Sequence, residues 1–356
     1  MKRLRPAERS LLAARLTAQG LSGTQPAGPL EATQKLLAVQ AQDPRGARLA
    51  VRARSTSTHA SDLDRALTED RSLVISWVNR GTLHLIAADD EPVLHALTTP
   101  QLRAGSDRRL AQEGVSPRAL ARGIDAIVGA LGSEGPMKRE RLRQLLDAIG
   151  VPTAGQALVH ILYRATLDGL IVRGPMVGSE HAFVVRADWL GERPKVDRDR
   201  ALAELARRYL VGHGPADDRD LAKWAQLTLR DARAALNAIA SELHGRPDGL
   251  VDVARGDPAP LPAPRLLGPF DPLLLGWRSR ELVLGDAKGV VTVNGIFKPI
   301  ALVGGRAAGT WSMPGGQVEL SLWEQPSRAA ATALRRDAAA VQAYLSPTST
   351  GAAGRH

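Results

Sequence analysis

The pattern that most constrains this chain is a block of helical segments closed by a strand–turn–strand, and the block recurs. In the first block PLEATQKLLAVQ (29–40) carries Leu30, Leu36, Leu37 and Val39 as its apolar residues, which predicts an amphipathic helix. ARLAVRARS (47–55) predicts a second helix. A third is expected from Ser61 to Glu69, where Ser61 and Asp64 have the spacing of a capping box. VISWV and TLHLI follow as two β-prone runs joined by Asn79-Arg80-Gly81, residue types suited to a tight hairpin turn. The order returns with helices near 116–131, 137–149 and 153–168 before GLIVRGPMVGSEHAFVVR (169–186). It returns again with 198–211, 217–225 and 229–240 before a weaker hairpin around 245–249. Three helices closed by a hairpin make a winged helix, and the repeat is too long and irregular for a solenoid.

The character changes at the proline-rich DPAPLPAPR (257–265). Short β-prone runs follow (RELVL, VVTV, IALVGG, AAGTWSM, QVELSLW), broken by Gly and Asn-Gly turns, and RAAATALRRDAAAVQAYL (328–345) closes as a helix. The expected fold class is α+β: three tandem winged-helix subdomains followed by a small C-terminal β-barrel-like domain. The boundaries read as 1–100, 101–195 and 196–256 for the winged helices, 257–265 for a linker, and 266–345 for the β-domain. Residues 346–356 read as a disordered tail. Trp77, Trp224, Trp277 and Trp311, each with apolar neighbours, are expected to pack inside.

Several chemistries are excluded at once. The chain has no cysteine, which removes disulfides, thiolate metal sites and cysteine nucleophiles. Its histidines (59, 84, 95, 160, 181, 213, 244 and 356) include no pair three or four apart, so no metal and no cofactor is expected. No apolar run approaches the roughly 18 residues that span a bilayer. MKRLRPAERSLLAARL sets Glu8 and several arginines where a secretory leader needs an apolar stretch. A soluble cytoplasmic protein without a membrane partner is expected, and a monomer, since no heptad or long exposed strand argues for assembly.

The formal charge is +10, and its distribution says more than its size. Residues 1–60 hold ten basic residues against three acidic ones, and 101–145 hold nine against five. Residues 61–100 are reversed, at three against seven. Concentration into segments is what a polyanion-binding face requires, because each neutralised phosphate releases counterions.

Gln40-Ala41-Gln42, followed by Asp43-Pro44, is the one chemically suggestive cluster. On a continuous helix two side chains at i,i+2 lie about 200° apart and cannot serve one point. Pro44 biases Asp43 out of the helical region, so the first helix should end about here and the two amides can converge where the chain turns. The bland alternative is a pair of solvated glutamines at a helix end. Asp43 reads as the N-cap of the next helix with Pro44 at its first position, not as a catalytic base.

The blocks LLAVQAQDPRGARLAVRARS, SWVNRGTLHLIAADD, RYLVGHGPADDRDLAKWAQLTLRDARAAL, LLGPFDPLLLGWRSRELVL and GGRAAGTW, in this order over about 28–326, resemble the AlkZ-type winged-helix DNA glycosylases. These are bacterial enzymes, found among antibiotic producers and elsewhere, that unhook bulky N-alkylated purines and interstrand crosslinks. The resemblance implies that Gln40 and Gln42 match the family's Gln-x-Gln catalytic motif. It implies double-stranded DNA carrying alkylated purines or crosslinks as the partner. Amide chemistry fits such a task. Glutamine has no usable pKa near neutrality and cannot be a general base. It can hold a water and place partial charge beside a developing oxocarbenium ion. That suffices where the leaving group is a cationic N7-alkylpurine, which departs as a neutral base.

Candidate DNA contacts follow from position. Arg45, Arg48 and Arg52 share a face of the helix after the glutamines, with Arg54 beyond it. Arg80 and Thr82 lie at the first hairpin turn with His84 two residues on, and Arg103, Arg108 and Arg109 form a further cluster. GPMVGSEH (174–181) and SMPGGQV (312–318) each have the look of a protruding hairpin. A lyase step needs an amine, and Lys35, five residues before Gln40, reads as a solvated helix-face lysine. The expected activity is therefore a monofunctional glycosylase. A non-enzymatic DNA-binding regulator is the rival reading, resting on the helix pair at 217–240 with Arg230 and Asp231 at the start of its second helix. A scaffold whose winged helices contact protein is a third.

Overall fold

A computed structural model describes residues 3–57, 59–253 and 256–346. The expected tail after Ser346 lies outside the described residues. The first helices are α1 (Pro6–Ala18) and α2 (Pro29–Leu36), then the two-residue strand β1 (Val39–Gln40), α3 (Pro44–Arg52) and α4 (Ala60–Thr68). The hairpin β2 (Leu73–Val78) and β3 (Thr82–Ala87) leads into α5 (Glu91–Gln112). Next come α6 (Pro117–Glu134), α7 (Arg139–Ala148), α8 (Ala157–Leu167) and the hairpin β4 (Ile171–Val177), β5 (Glu180–Val185). A short α9 (Arg186–Leu190) precedes α10 (Arg198–His213), α11 (Asp218–Ala225), α12 (Leu229–Ala238) and the small hairpin β6 (His244–Gly245), β7 (Val251–Asp252). The chain closes with β8 (Arg265–Leu267), α13 (Glu281–Leu284), β9 (Ile300–Val303), β10 (Arg306–Ser312), β11 (Glu319–Leu322) and α14 (Arg328–Leu345).

Two compact units result, and they do not follow chain order. One combines residues 1–65 and 210–216 with 244–356, and the other combines 66–209 with 217–243. The stretch 1–100 is thus shared between the units, α1 to α3 lying in one and the hairpin with the start of α5 in the other.

In the first unit β11, β10, β9 and β8 form an antiparallel sheet in that spatial order. Leu266, Ala301 and Trp311 from this sheet enclose a core with Leu334 and Val341 of α14, and Leu49 of α3 completes it. The barrel-like expectation is corrected here. RELVL becomes the helix α13, and VVTV yields only the isolated bridge Val291–Phe297, so too few strands remain to close a cylinder. The proline-rich segment is packed rather than a free spacer, since the Ala259 N–H donates to Thr17 Oγ1 of α1 at 3.0 Å.

In the second unit β2 pairs antiparallel with both β3 and β4, and β4 with β5. The Asn79-Arg80-Gly81 turn forms as the residue types require. Asn79 and Gly81 take φ of 52° and 72°, and the Gly81 N–H closes on the Val78 carbonyl at 3.1 Å. All four tryptophans expected inside are buried.

Three local expectations change. The first helix stops at Leu36, not near Gln40, because Leu37 turns with φ 64° and the chain then extends. The capping carboxylate of α4 is Asp62, which accepts from the His59 N–H at 3.4 Å and from Ser57 Oγ at 2.7 Å. Asp64 is instead paired with Arg48. The 22-residue α5 is absent from the sequence reading, and it contains Pro100.

Candidate active site and nucleic-acid interface

The glutamine motif lies on β1 and the turn leading into α3, all within the first unit. Extended backbone puts residues i and i+2 on one face. The Gln40 Nε2 amide accordingly donates to Gln42 Oε1 at 2.9 Å. Gln40 is 6 % exposed, whereas Gln42 is open to solvent. The buried amide therefore fixes the rotamer of the exposed one.

Asp43 holds this exit in place. Its Oδ1 accepts from the Gly46 N–H at 2.7 Å with Pro44 in the first turn, and its carboxylate is spent on the helix start. Gly46 itself is obligatory, since a Cβ there would meet the Pro269 carbonyl. Helix α3 is thereby laid directly against the segment that follows β8.

The arginines that follow the motif are mostly turned inward. Arg45 is exposed, and among the described residues its side chain makes no hydrogen bond or ion pair. Arg48 pairs with Asp64 and also donates to the Pro44 carbonyl at 3.1 Å. Arg52 pairs with Asp337 of α14 at 2.6 Å. Arg54 is 0 % exposed and bonds both Asp271 oxygens, at 2.6 and 2.9 Å. Arg48 and Arg52 do share a helix face, but that face meets carboxylates. Arg54 is corrected from a DNA contact to an internal strut: its guanidinium cannot reach a phosphate from where it sits. Lys35 is corrected too. It is half-buried against Gly20 rather than solvated, and burial lowers its pKa.

The second unit carries the other candidates. Arg103 pairs with Asp168 yet keeps half its side chain in solvent. Arg108 is exposed, and Arg109 is exposed with one bond to Gln112 at 3.2 Å. Arg80 donates to the Trp224 carbonyl at 2.9 Å. His84 is not a surface group, at 1 % exposed, and half-buried Thr82 has its Oγ1 sealed from solvent. His84 Nδ1 donates to the Thr82 carbonyl at 2.9 Å. Burial, reinforced by the neighbouring Arg80 charge, lowers its pKa to about 3.

The same hairpin holds groups that the sequence reading passed over. Ser76, the cross-strand partner of His84, has a buried hydroxyl without a hydrogen-bond partner among the described residues, as does Thr82. Both side-chain amide atoms of buried Asn79 are likewise unpartnered. Buried polar atoms are nearly always satisfied, so four such atoms on one hairpin are a departure from an ordinary core. Alternating polar residues at 76, 82 and 84 were the available signal.

The neutral His84 has a consequence for stability. Its folded pKa lies below the unfolded value of about 6.5, so the unfolded chain binds the extra proton first. Its contribution to stability is complete above about pH 6.5 and is lost as pH falls toward about 3, by roughly 5 kcal/mol in all. His84→Gln should flatten the fall of Tm between pH 6.5 and 4 relative to the parent. Parallel curves would show that burial of His84 does not set this slope.

In the helix pair, α11 is capped by Asp217 and α12 by Thr228, whose hydroxyl accepts from the Asp231 N–H at 3.1 Å. Asp231 is engaged by Arg198 at 3.0 Å, so of the two proposed base-reading residues only Arg230 is exposed and, among the described residues, unpaired. This weakens the regulator reading.

Helical blocks closed by hairpins, with two amides hydrogen-bonded to each other at a helix entrance, are the features that a known class must match. Residues 33–344 match the DNA glycosylase AlkZ-like family, and the chain belongs to it. It is thus a DNA N-glycosylase, a hydrolase of the bond between base and deoxyribose. Among its relatives is the interstrand DNA cross-link repair glycosylase of Streptomyces sahachiroi, 26% identical over 344 residues, covering 89% of this chain and 91% of that protein. The solved structure of the S. sahachiroi DNA glycosylase AlkZ has a similar fold, with a TM-score of 0.74 at 23% identity over 94% of this chain and 96% of that one. Among the described residues, no helix is long and apolar enough to cross a membrane.

Proposed function

We propose that this glycosylase is monofunctional and hydrolyses cationic N7-alkylated purines, with bulky adducts and interstrand crosslinks within its scope. The observation that carries the reading is the 2.9 Å hydrogen bond between Gln40 and Gln42. It makes the two amides one rigid element. Gln42 Oε1, pinned from below, accepts a hydrogen bond from the attacking water, whose proton passes to solvent, and faces the charge that grows at C1′. Neither amide takes up the proton, so the leaving base must not need one. An N7-alkylguanine meets that condition, because breaking its glycosidic bond neutralises the ring. The cross-link activity named for the Streptomyces relative supports extending the substrate class to crosslinked purines.

The three helix-and-hairpin blocks are assigned as three winged helices that present arginines to the duplex backbone. Arg45 in the first unit and Arg103, Arg108 and Arg109 in the second are the exposed candidates. The test is a lesion panel under single-turnover conditions. Release of N7-methylguanine should exceed release of uracil or hypoxanthine by at least about a hundredfold, near 2.7 kcal/mol in barrier. Comparable rates on the neutral bases would sink the proposal. Borohydride should trap no covalent complex, and a trapped adduct would replace the monofunctional assignment with a lyase.

A further inference from the structure

The second unit contains a half-buried guanidinium that no carboxylate holds, in contrast to several other inward-turned arginines. Arg54 is held by Asp271, Arg164 by Asp107 and Asp168, and Arg186 by Glu91. Arg173 of β4 has no such partner. Among the described residues its side chain makes no hydrogen bond and no ion pair, and its Nε is sealed from solvent unpartnered. It is held by rings alone, 4.6 Å from the Phe183 centroid and 5.2 Å from that of Trp77. Trp77 is in turn braced edge-on by Tyr163 at 5.7 Å. Ring contact orients the plane of a guanidinium and leaves its N–H edge unused. Desolvation costs a buried cation heavily unless an anion answers it.

The sheet places a second cation at the same end. Ile75, Arg173 and Phe183 lie in register across β2, β4 and β5, and Phe183 bridges on its far side to Met137, two residues before Arg139. Arg139 is exposed, and its side chain also makes no hydrogen bond or ion pair. Its neighbours do: Lys138 faces Glu180, Arg141 faces Glu134 and Arg143 faces Glu140. The Arg139 charge acts on Arg173, whose pKa is lowered to about 10 chiefly by burial. Directly after Arg173 the β4–β5 pairing slips register before Met176, the kind of bulge that re-aims a side chain beside a working site.

We propose that Arg173 and Arg139 form an oxyanion seat on the second unit, filled by a backbone phosphate of duplex DNA. Two unpaired guanidinium groups supply more N–H donors than one phosphate has lone pairs, and the aromatic brace makes one of them rigid before binding. The seat is independent of the role given to Gln40 and Gln42, because it is read on undamaged DNA.

The test uses the full chain and an undamaged duplex, with anisotropy followed over a salt series. Arg173→Met keeps an unbranched side chain between the rings, and Arg139→Gln changes only a surface group. Each should weaken binding several-fold and reduce the slope of log K against log salt by about 0.9, the value of one phosphate contact. Unchanged affinity and slope in both variants would overturn the proposal. Inorganic phosphate supplies the second arm. If phosphate raises the Tm of the parent and not of Arg173→Met, while the two bind duplex equally, the seat holds a free oxyanion and the DNA assignment fails. Since Arg139→Gln disturbs no packing, it keeps the test decisive even if Arg173→Met folds poorly.

Discussion

Gln42→Ala should lower the single-turnover release of N7-methylguanine from duplex DNA by roughly a hundredfold, with DNA affinity changed by no more than about twofold. The exposed amide is the group that meets water, so its loss removes the hydrogen-bond acceptor that holds the attacking water and the partial charge beside C1′. Gln40→Ala should act by a different route. Gln40 is 6 % exposed and donates its Nε2–H to Gln42 Oε1 at 2.9 Å, so its removal frees the Gln42 rotamer instead of deleting the acceptor. The expected loss is smaller, about tenfold to a hundredfold, with the double variant little worse than Gln42→Ala alone. Additive losses would show two independent contributions and contradict a single rigid pair. No ionisation is involved in either amide. The rate of the parent should therefore stay flat between about pH 5.5 and 8.5, and a bell-shaped profile would point to a titrating base that the glutamine reading omits.

What could be read from sequence divides by the range of the forces involved. The hairpin at 73–87 and helices such as α6, α7, α8 and α12 announce themselves through short-range periodicity and turn residues, and they form about where expected. The end of α2 does not. Leucine gives no sign that Leu37 will adopt φ 64°, and that one residue turns a helical stretch into the strand that aligns Gln40 with Gln42. Helix α5 was hidden by Pro100, a residue that normally breaks a helix. Thr98 and Thr99 donate their hydroxyls to the Leu94 and His95 carbonyls, each at 2.8 Å, around the turn that the proline disturbs. The arginine row shows the same limit at the site. Spacing places Arg48 and Arg52 on one face, yet only the fold reveals Asp64 and Asp337 opposite them. Arg139 and Arg173 went unnoticed for the converse reason: what distinguishes them is missing carboxylates, which no local pattern records.

Arg54 illustrates the long-range part most strongly, and it carries the largest stability effect expected of a single change. It lies two residues beyond α3, while Asp271 is 217 positions later, and both are 0 % exposed. The guanidinium also donates to the Ala50 carbonyl at 3.0 Å and to Gln19 Oε1 at 3.1 Å. Gln19 in turn donates to the Gly212 carbonyl at 2.8 Å. One buried cation thus ties the end of α1, α3 and the loop at Asp271 together, and through Gln19 the last turn of α10. Replacing the pair with apolar groups need not be costly, since its Coulomb gain is largely offset by desolvation. Removing one partner is costly, because the other charge stays buried. Asp271→Asn should therefore destabilise the first unit by about 3–5 kcal/mol. At about 2–4 °C per kcal/mol, that lowers its Tm by roughly 10 °C. Arg54→Met combined with Asp271→Leu should recover most of the loss. If Asp271→Asn leaves Tm within about 2 °C of the parent, the pair is not the strut described. If the double variant is as unstable as the single one, the hydrogen bonds to Ala50 and Gln19, rather than charge compensation, hold α3 in place.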